Sequence, residues 1–175
     1  LFTLLSCVFG AANTTEKAQT TAATTPATTK LSLVDELLGL NGGKRMLRAA
    51  YNGKYLTGTN DTSCWAFCRR NAVVMHEGEA TMTEHWFIEK RNANQVAIKA
   101  ASNGKYLRDN FSLLSYVDLA DVVGSAETWT AVKNLDDTWS FISHRGFWLS
   151  AHREDGLVEV MEENKKCERW RLESW

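Results

Sequence analysis

Three observations predict an all-β chain. A ten-residue phrase occurs twice and is paraphrased once: residues 47–56 read LRAAYNGKYL, 98–107 read IKAASNGKYL, and 140–149 read SFISHRGFWL. Each is followed by a Glu-x-Trp, at Glu84-His85-Trp86, Glu127-Thr128-Trp129 and Glu168-Arg169-Trp170. Between them, Asn-Gly and Asp-Gly turn signals separate segments in which apolar residues recur at alternate positions. A repeat of roughly 42 residues, with room for four short strands in each copy, amounts to about twelve strands in three units. That is the arithmetic of a β-trefoil, a six-stranded barrel capped by three hairpins with pseudo-threefold symmetry. Three blades do not close a propeller, and a jelly roll lacks the triplicate pattern.

The elements follow in chain order. Residues 1–12 begin with the apolar run LFTLLSCVFG, too short to span a bilayer, and end in Ala11-Ala12. This reads as the remnant of a signal peptide and implies a secreted, extracellular protein. Leu4-Leu5-Ser6-Cys7 also resembles a lipoprotein attachment site, but the apolar Val8-Phe9 continues the hydrophobic run. Residues 13–30 form a Thr/Ala tract without the apolar mass to offset ordering entropy, so a disordered linker is expected. Its threonines beside Pro26 suit O-glycosylation of a stalk as well as they suit a plain spacer.

One short amphipathic helix is expected within residues 31–43. Ser32 and Asp35 read as a capping box, Leu33, Val34, Leu37 and Leu38 share a face, and Gly42-Gly43 supply the stop. A helix of under three turns is not stable alone, so it should lie across an open end of the next domain. A partner-binding helix is the alternative.

Residues 44–175 form the predicted trefoil, with repeats at about 44–94, 95–137 and 138–175. Val96, Ile98 and Ala100, then Trp139 and Phe141, then Trp170 and Leu172 alternate as half-buried strands require. Asn52-Gly53 and Asn103-Gly104 mark hairpins in which glycine supplies a positive φ. Leu56, Leu107 and Leu149 should point into the barrel, with Trp86, Trp129 and Trp170 as its large core elements.

Composition excludes some partners. The 175 residues carry 20 Lys+Arg against 21 Asp+Glu, a net charge of −1 that leaves no electrostatic footprint for nucleic acid. No apolar run is long enough for a membrane span. Export would remove Cys7 and leave Cys64, Cys68 and Cys167, an odd number. A local Cys64–Cys68 bridge, a bridge from either to Cys167, and a thiol that links two chains all stay open, so the protein is a monomer or a disulfide-linked dimer. One C-x₃-C with scattered histidines (His76, His85, His144, His152) does not make a metal centre, and no cofactor motif is present. Nucleophile motifs and phosphate loops are missing too, and Ser143-His144 and Asp136-Asp137 read as turn chemistry. No catalytic residue is assigned and an enzyme is not expected.

Binding residues are sought where the repetition fails. Twenty-seven residues separate Leu56 from Glu84, whereas the matching intervals hold 19 and 18. The longer first unit includes Trp65 and Phe67 between Cys64 and Cys68, followed by Arg69 and Arg70. Aromatics beside arginine on a loop suit a ligand contact, although the same aromatics also suit a satellite core. Asn60-Asp61-Thr62 and Asn110-Phe111-Ser112 are N-glycosylation sequons, expected on exposed loops if the chain is exported.

The combination NGKYL, ETWTAVKNLDDTWSFIS, GFWL and ERWRLE resembles the fascin-type β-trefoil repeat over about residues 46–175. The resemblance implies the trefoil fold and, for a cytoplasmic chain, actin binding and cross-linking. Ricin-type lectins carry Gln-x-Trp where this chain has Glu84, Glu127 and Glu168. Residues 96–107 are similar to the middle repeat of fibroblast growth factors, whose extended basic run is not matched here. The expected function is a secreted, non-enzymatic recognition or matrix module binding a glycan or an extracellular protein. A fascin-like actin cross-linker and a cytokine-like receptor ligand are the alternatives.

Overall fold

The computed structural model describes residues 31–39, 41–59, 73–110, 116–151 and 156–175. A short helix, α1 (Leu33–Leu38), precedes twelve strands. The first repeat holds β1 (Lys44–Ala49), β2 (Tyr55–Gly58), β3 (Val73–His76) and β4 (Trp86–Lys90). The second holds β5 (Gln95–Ala100), β6 (Tyr106–Asn110), β7 (Tyr116–Ala120) and β8 (Thr128–Lys133). The third holds β9 (Trp139–Ile142), β10 (Trp148–Ser150), β11 (Glu159–Met161) and β12 (Trp170–Glu173).

Six strands form a closed antiparallel ring in which β1 pairs β4, β4 pairs β5, β5 pairs β8, β8 pairs β9, β9 pairs β12, and β12 returns to β1. The closing register sets Leu47 opposite Leu172 and Ala49 opposite Trp170. Closure removes the exposed backbone edges that an open sheet would present. Strands β2–β3, β6–β7 and β10–β11 are the three hairpins. They meet one another through the Tyr116–Glu159 pair and a Val74–Leu157 bridge.

Each ring strand turns alternate residues inward. The buried set includes Leu47 and Ala49 on β1, Trp86 and Ile88 on β4, and Trp129 and Ala131 on β8. In the first two repeats Gly53 and Gly104 sit at φ +74 and +73, where a Cβ would strain the backbone. Their N–H groups donate to the Ala49 and Ala100 carbonyls at 2.9 Å, so the Asn-Gly pair folds each strand onto the next.

The repeated phrase has one physical explanation. Leu56, Leu107, Leu149 and the three tryptophans are fully buried. The indole Nε1 of Trp86, Trp129 and Trp170 donates to the backbone carbonyl of Leu56, Leu107 and Leu149 at 2.9, 3.0 and 3.2 Å. Each tryptophan thus fills the barrel and also satisfies a carbonyl that would otherwise be buried without a partner. The glutamate two residues earlier shapes the approach. Glu84, Glu127 and Glu168 accept from the backbone N–H of Thr81, Gly124 and Lys165, each at 2.7 Å. Glu84 and Glu168 also accept from the Thr57 and Ser150 hydroxyls at 2.8 and 2.6 Å. Burial pushes the Glu84 carboxyl up, but hydrogen bonds from Thr81, Thr57 and Thr83 outweigh it and hold it below the usual carboxylate range. The second repeat has Arg108 at the Thr57 and Ser150 position, and Arg108 forms a bidentate pair with Asp118, both contacts at 2.7 Å.

Helix α1 packs on β4 and β8 at the barrel end away from the hairpins, burying Val34 and Leu37. Ser32 caps its start by accepting from the Asp35 N–H at 3.1 Å. Lys90 pairs with Asp35 at 2.6 Å and Lys133 pairs with Glu36. The stop falls at Gly39 (φ +56), not at Gly42-Gly43, because a distant residue takes up the terminal carbonyls. The guanidinium of Arg45, nearly buried, donates to the Leu37 carbonyl through Nη2 at 2.9 Å and to the Leu38 carbonyl at 2.7 Å. Gly43 has a separate task, since a Cβ there would lie 2.3 Å from the Ile88 carbonyl oxygen.

Candidate functional site

The third repeat departs from the shared phrase where a cavity opens. Phe147 and Trp148 stand where the first two repeats have Lys54-Tyr55 and Lys105-Tyr106. The preceding turn is also rebuilt: the Ser143 N–H donates to the Phe147 carbonyl at 2.8 Å, one residue out of step with the Ala49–Lys54 and Ala100–Lys105 bonds. Phe147 then forms one wall of a cavity of about 570 Å³, with Val160 and Met161 from β11 and Lys165, Lys166 and Cys167 from the turn before β12.

The floor is apolar and fixed. The Arg145 guanidinium lies 4.8 Å from the Phe147 ring centroid and is itself held by buried Asp109 on β6, at 2.9 and 2.5 Å. A bidentate pair of this kind removes rotamer freedom from both partners and orients the aromatic ring above it. The rim is charged, with Glu162, Glu163, Lys165 and Lys166. Glu163 and Lys165 pair at 2.5 Å, which lowers the carboxyl and raises the ammonium from their ordinary ranges. The Lys166 ammonium lies 5.8 Å from the ring of Tyr51, whose hydroxyl donates to the Ala151 carbonyl at 3.2 Å.

Two groups at the cavity could in principle do chemistry. Burial, and then the Glu168 carboxylate, push the Cys167 thiol up, so it is a neutral thiol near pH 7 rather than a nucleophilic thiolate. Glu168 is buried and committed through both oxygens, one to Ser150 and one to the Lys165 N–H. An apolar floor with an aromatic wall and a mixed-charge rim is equipped to hold a polar ligand that has an apolar face.

No protein-family model and no curated protein matches this sequence. Among solved structures, the chain is similar to the designed three-fold symmetric protein ThreeFoil, at 22% identity over 74% of this chain and 97% of that one, with a TM-score of 0.63. The fold is a β-trefoil. SeviL, solved bound to an asialo-GM1 saccharide, is 14% identical over 75% of this chain and 97% of its own, with a TM-score of 0.60. The GlcNAcα1-4Gal-releasing endo-β-galactosidase of Clostridium perfringens is 16% identical, with a TM-score of 0.61. The match covers 74% of this chain and 31% of that enzyme. At these identities the likeness establishes the trefoil alone.

Trp65, Phe67, Arg69 and Arg70, with Cys64, Cys68 and Asn60, lie outside the described residues. Cys167 is a buried free thiol. Asn110 was expected on an exposed loop, but it is the last residue of β6 and half-buried. Its Nδ2 donates to Asp118 at 2.7 Å and to the Tyr116 hydroxyl at 3.2 Å, so pairing across the hairpin has drawn this asparagine into the strand. Among the described residues no group of three or more His, Cys, Asp or Glu could hold a metal, and no helix is long and apolar enough to cross a membrane. The cavity residues escaped the sequence reading, although the exchange of Gly-Lys-Tyr-Leu for Gly-Phe-Trp-Leu was the available signal.

Proposed function

We propose that the protein is a secreted, non-enzymatic β-trefoil recognition module whose third repeat binds a glycan. The third-repeat cavity carries this reading. A sugar ring has an apolar face of C–H groups that stacks on an aromatic such as Phe147, and hydroxyls that the Glu162, Glu163, Lys165 and Lys166 rim can pair. The solved trefoil SeviL, bound to an asialo-GM1 saccharide, supports glycan chemistry on this scaffold. The apolar run over residues 1–10, followed by Ala11-Ala12, supports the reading of export. The committed oxygens of Glu168 and the neutral thiol of Cys167 support binding without catalysis.

The test uses the Phe147→Lys variant, which restores the residue found in the other two repeats. Wild-type chain is expected to enrich a defined glycan class on an array, with the variant folded and its binding reduced at least about tenfold. An array without enrichment, or equal binding by a folded variant, overturns the assignment.

The Gly-Lys-Tyr-Leu and Glu-x-Trp phrases favour a second reading, a fascin-like actin-binding protein. It requires retention inside the cell and co-sedimentation with actin filaments. A tagged chain recovered only from the medium removes it.

A further inference from the structure

The threefold symmetry creates three equivalent notches, and the chain fills two of them. At each notch, the turn after the first strand of one repeat meets the residue preceding the tryptophan of the previous repeat. At the first, the Ala50 N–H donates to the Arg169 carbonyl at 2.8 Å; at the second, the Ala101 N–H donates to the His85 carbonyl at 2.9 Å. Side chains complete the closure. Arg169 pairs with Asp136 at 2.7 Å and Lys166 lies over Tyr51, while Trp175 stacks on His85 with ring centroids 4.3 Å apart and planes 5° from parallel.

The third notch lacks the clamp. There the equivalent N–H, that of Ser143, donates to Phe147 within its own turn. A cleft of about 290 Å³ opens beside Thr128, bounded by Arg91, Gln95, Gly124, Ser125 and His144. Arg91 stands five residues after Trp86, as Trp175 stands five after Trp170, so an arginine occupies the position that elsewhere supplies the plug. His144 replaces Tyr51 and Ser102 of the other turns.

The chemistry of the cleft is one-sided. No carboxylate lines it. Among the described residues, neither the Arg91 guanidinium nor the His144 imidazole has an ion-pair partner. The guanidinium is permanently cationic and presents a planar fork of donors, and an imidazole keeps an N–H donor in either protonation state. The Ser125 hydroxyl adds a third donor, while the Thr128 hydroxyl is committed to the Gly124 carbonyl at 2.7 Å. Donors on three loops that border one cleft, with the adjoining Glu127 carboxylate committed to the Gly124 N–H at 2.7 Å, are suited to the oxygens of an anion.

We propose that this cleft binds an oxyanion group, a sulfate, phosphate or carboxylate carried by a polar ligand. The site is independent of the glycan reading, since none of its residues lines the third-repeat cavity.

The experiment titrates the full chain, labelled with nitrogen-15, with sodium sulfate, sodium phosphate or sodium acetate, against sodium chloride at matched ionic strength. Saturable amide shifts confined to residues 91–95, 124–128 and 143–145 are expected with at least one oxyanion. Sulfate and phosphate without acetate assign a tetrahedral group, and acetate alone assigns a carboxylate. Arg91→Gln and His144→Gln should each weaken binding, the former at least about tenfold, and Arg91→Lys should retain part of it. Shifts that match chloride for all three anions, or an Arg91→Gln variant that binds as the wild type does, overturn the proposal. A Phe147→Lys chain that loses glycan but keeps these shifts separates the two sites.

Discussion

The guanidinium of Arg45, on the first strand of the barrel, donates to the carbonyls of both Leu37 and Leu38 at the end of α1. A two-turn helix with Gly39 after it has no stability of its own, so this contact and the burial of Val34 and Leu37 hold it in place. Arg45→Met keeps much of the aliphatic volume and removes the donors. The expected loss is about 1–3 kcal/mol, the cost of the Leu37 carbonyl left without a partner while the Leu38 carbonyl keeps the Gly43 N–H at 3.1 Å, read from urea unfolding. A variant within about 0.5 kcal/mol of wild type would show that the helix is not held by this residue.

Trp129 separates two contributions within the core. Trp129→Phe retains a ring and loses the 3.0 Å bond to the Leu107 carbonyl, which predicts a loss of about 1–3 kcal/mol. Trp129→Ala also opens a cavity and should cost about 3–5 kcal/mol or prevent folding. Equal losses for the two variants would show that ring burial contributes little there.

Acid should weaken the contact between the second and third repeats at a defined residue. The Thr138 hydroxyl, and after it the Arg169 guanidinium, hold the Asp136 carboxyl down at about 2. An unfolded aspartate titrates near about 3.9. The folded value is the lower one, so the stabilisation is fully present above about pH 4 and is lost as pH falls through 2. Asp136→Asn should flatten the dependence of the urea midpoint on pH between about 4 and 2. Identical profiles for variant and wild type would remove Asp136 from the acid response.

Burial and the neighbouring Glu168 carboxylate keep the Cys167 thiol neutral. The native chain at pH 7.5, roughly one unit below an ordinary thiol, should therefore label slowly at Cys167 with iodoacetamide, and fully once unfolded in urea. Peptide mass analysis after timed labelling reads both rates. Native labelling as fast as that of the unfolded chain would contradict the burial.

The scaffold was legible in the sequence because its determinants recur. Leu56, Leu107 and Leu149, with Trp86, Trp129 and Trp170, appear at nearly constant spacing, and spacing is what a repeat displays. The start of α1 was equally local, since Ser32 bonds the backbone three residues on. Its end was not, because Arg45 reaches back from a barrel strand. The cavity was missed for the same reason. Phe147, Val160, Met161 and Cys167 converge only once β10 and β11 have paired. Asn110 shows the limit from the other side: a sequon specifies three residues, but Tyr116 and Asp118 across the hairpin decide where its nitrogen points.

The ring closes only when residues 170–173 reach residues 46–49. Every earlier strand can find a neighbour during synthesis, but β1 and β9 each keep one bare edge until β12 has left the ribosome. During that interval the gap between β1 and β9 is a template for the β12 of any other chain nearby. Crowded translation of this message thus favours exchange of the last strand between copies, and a pause just before residue 170 would lengthen the exposure.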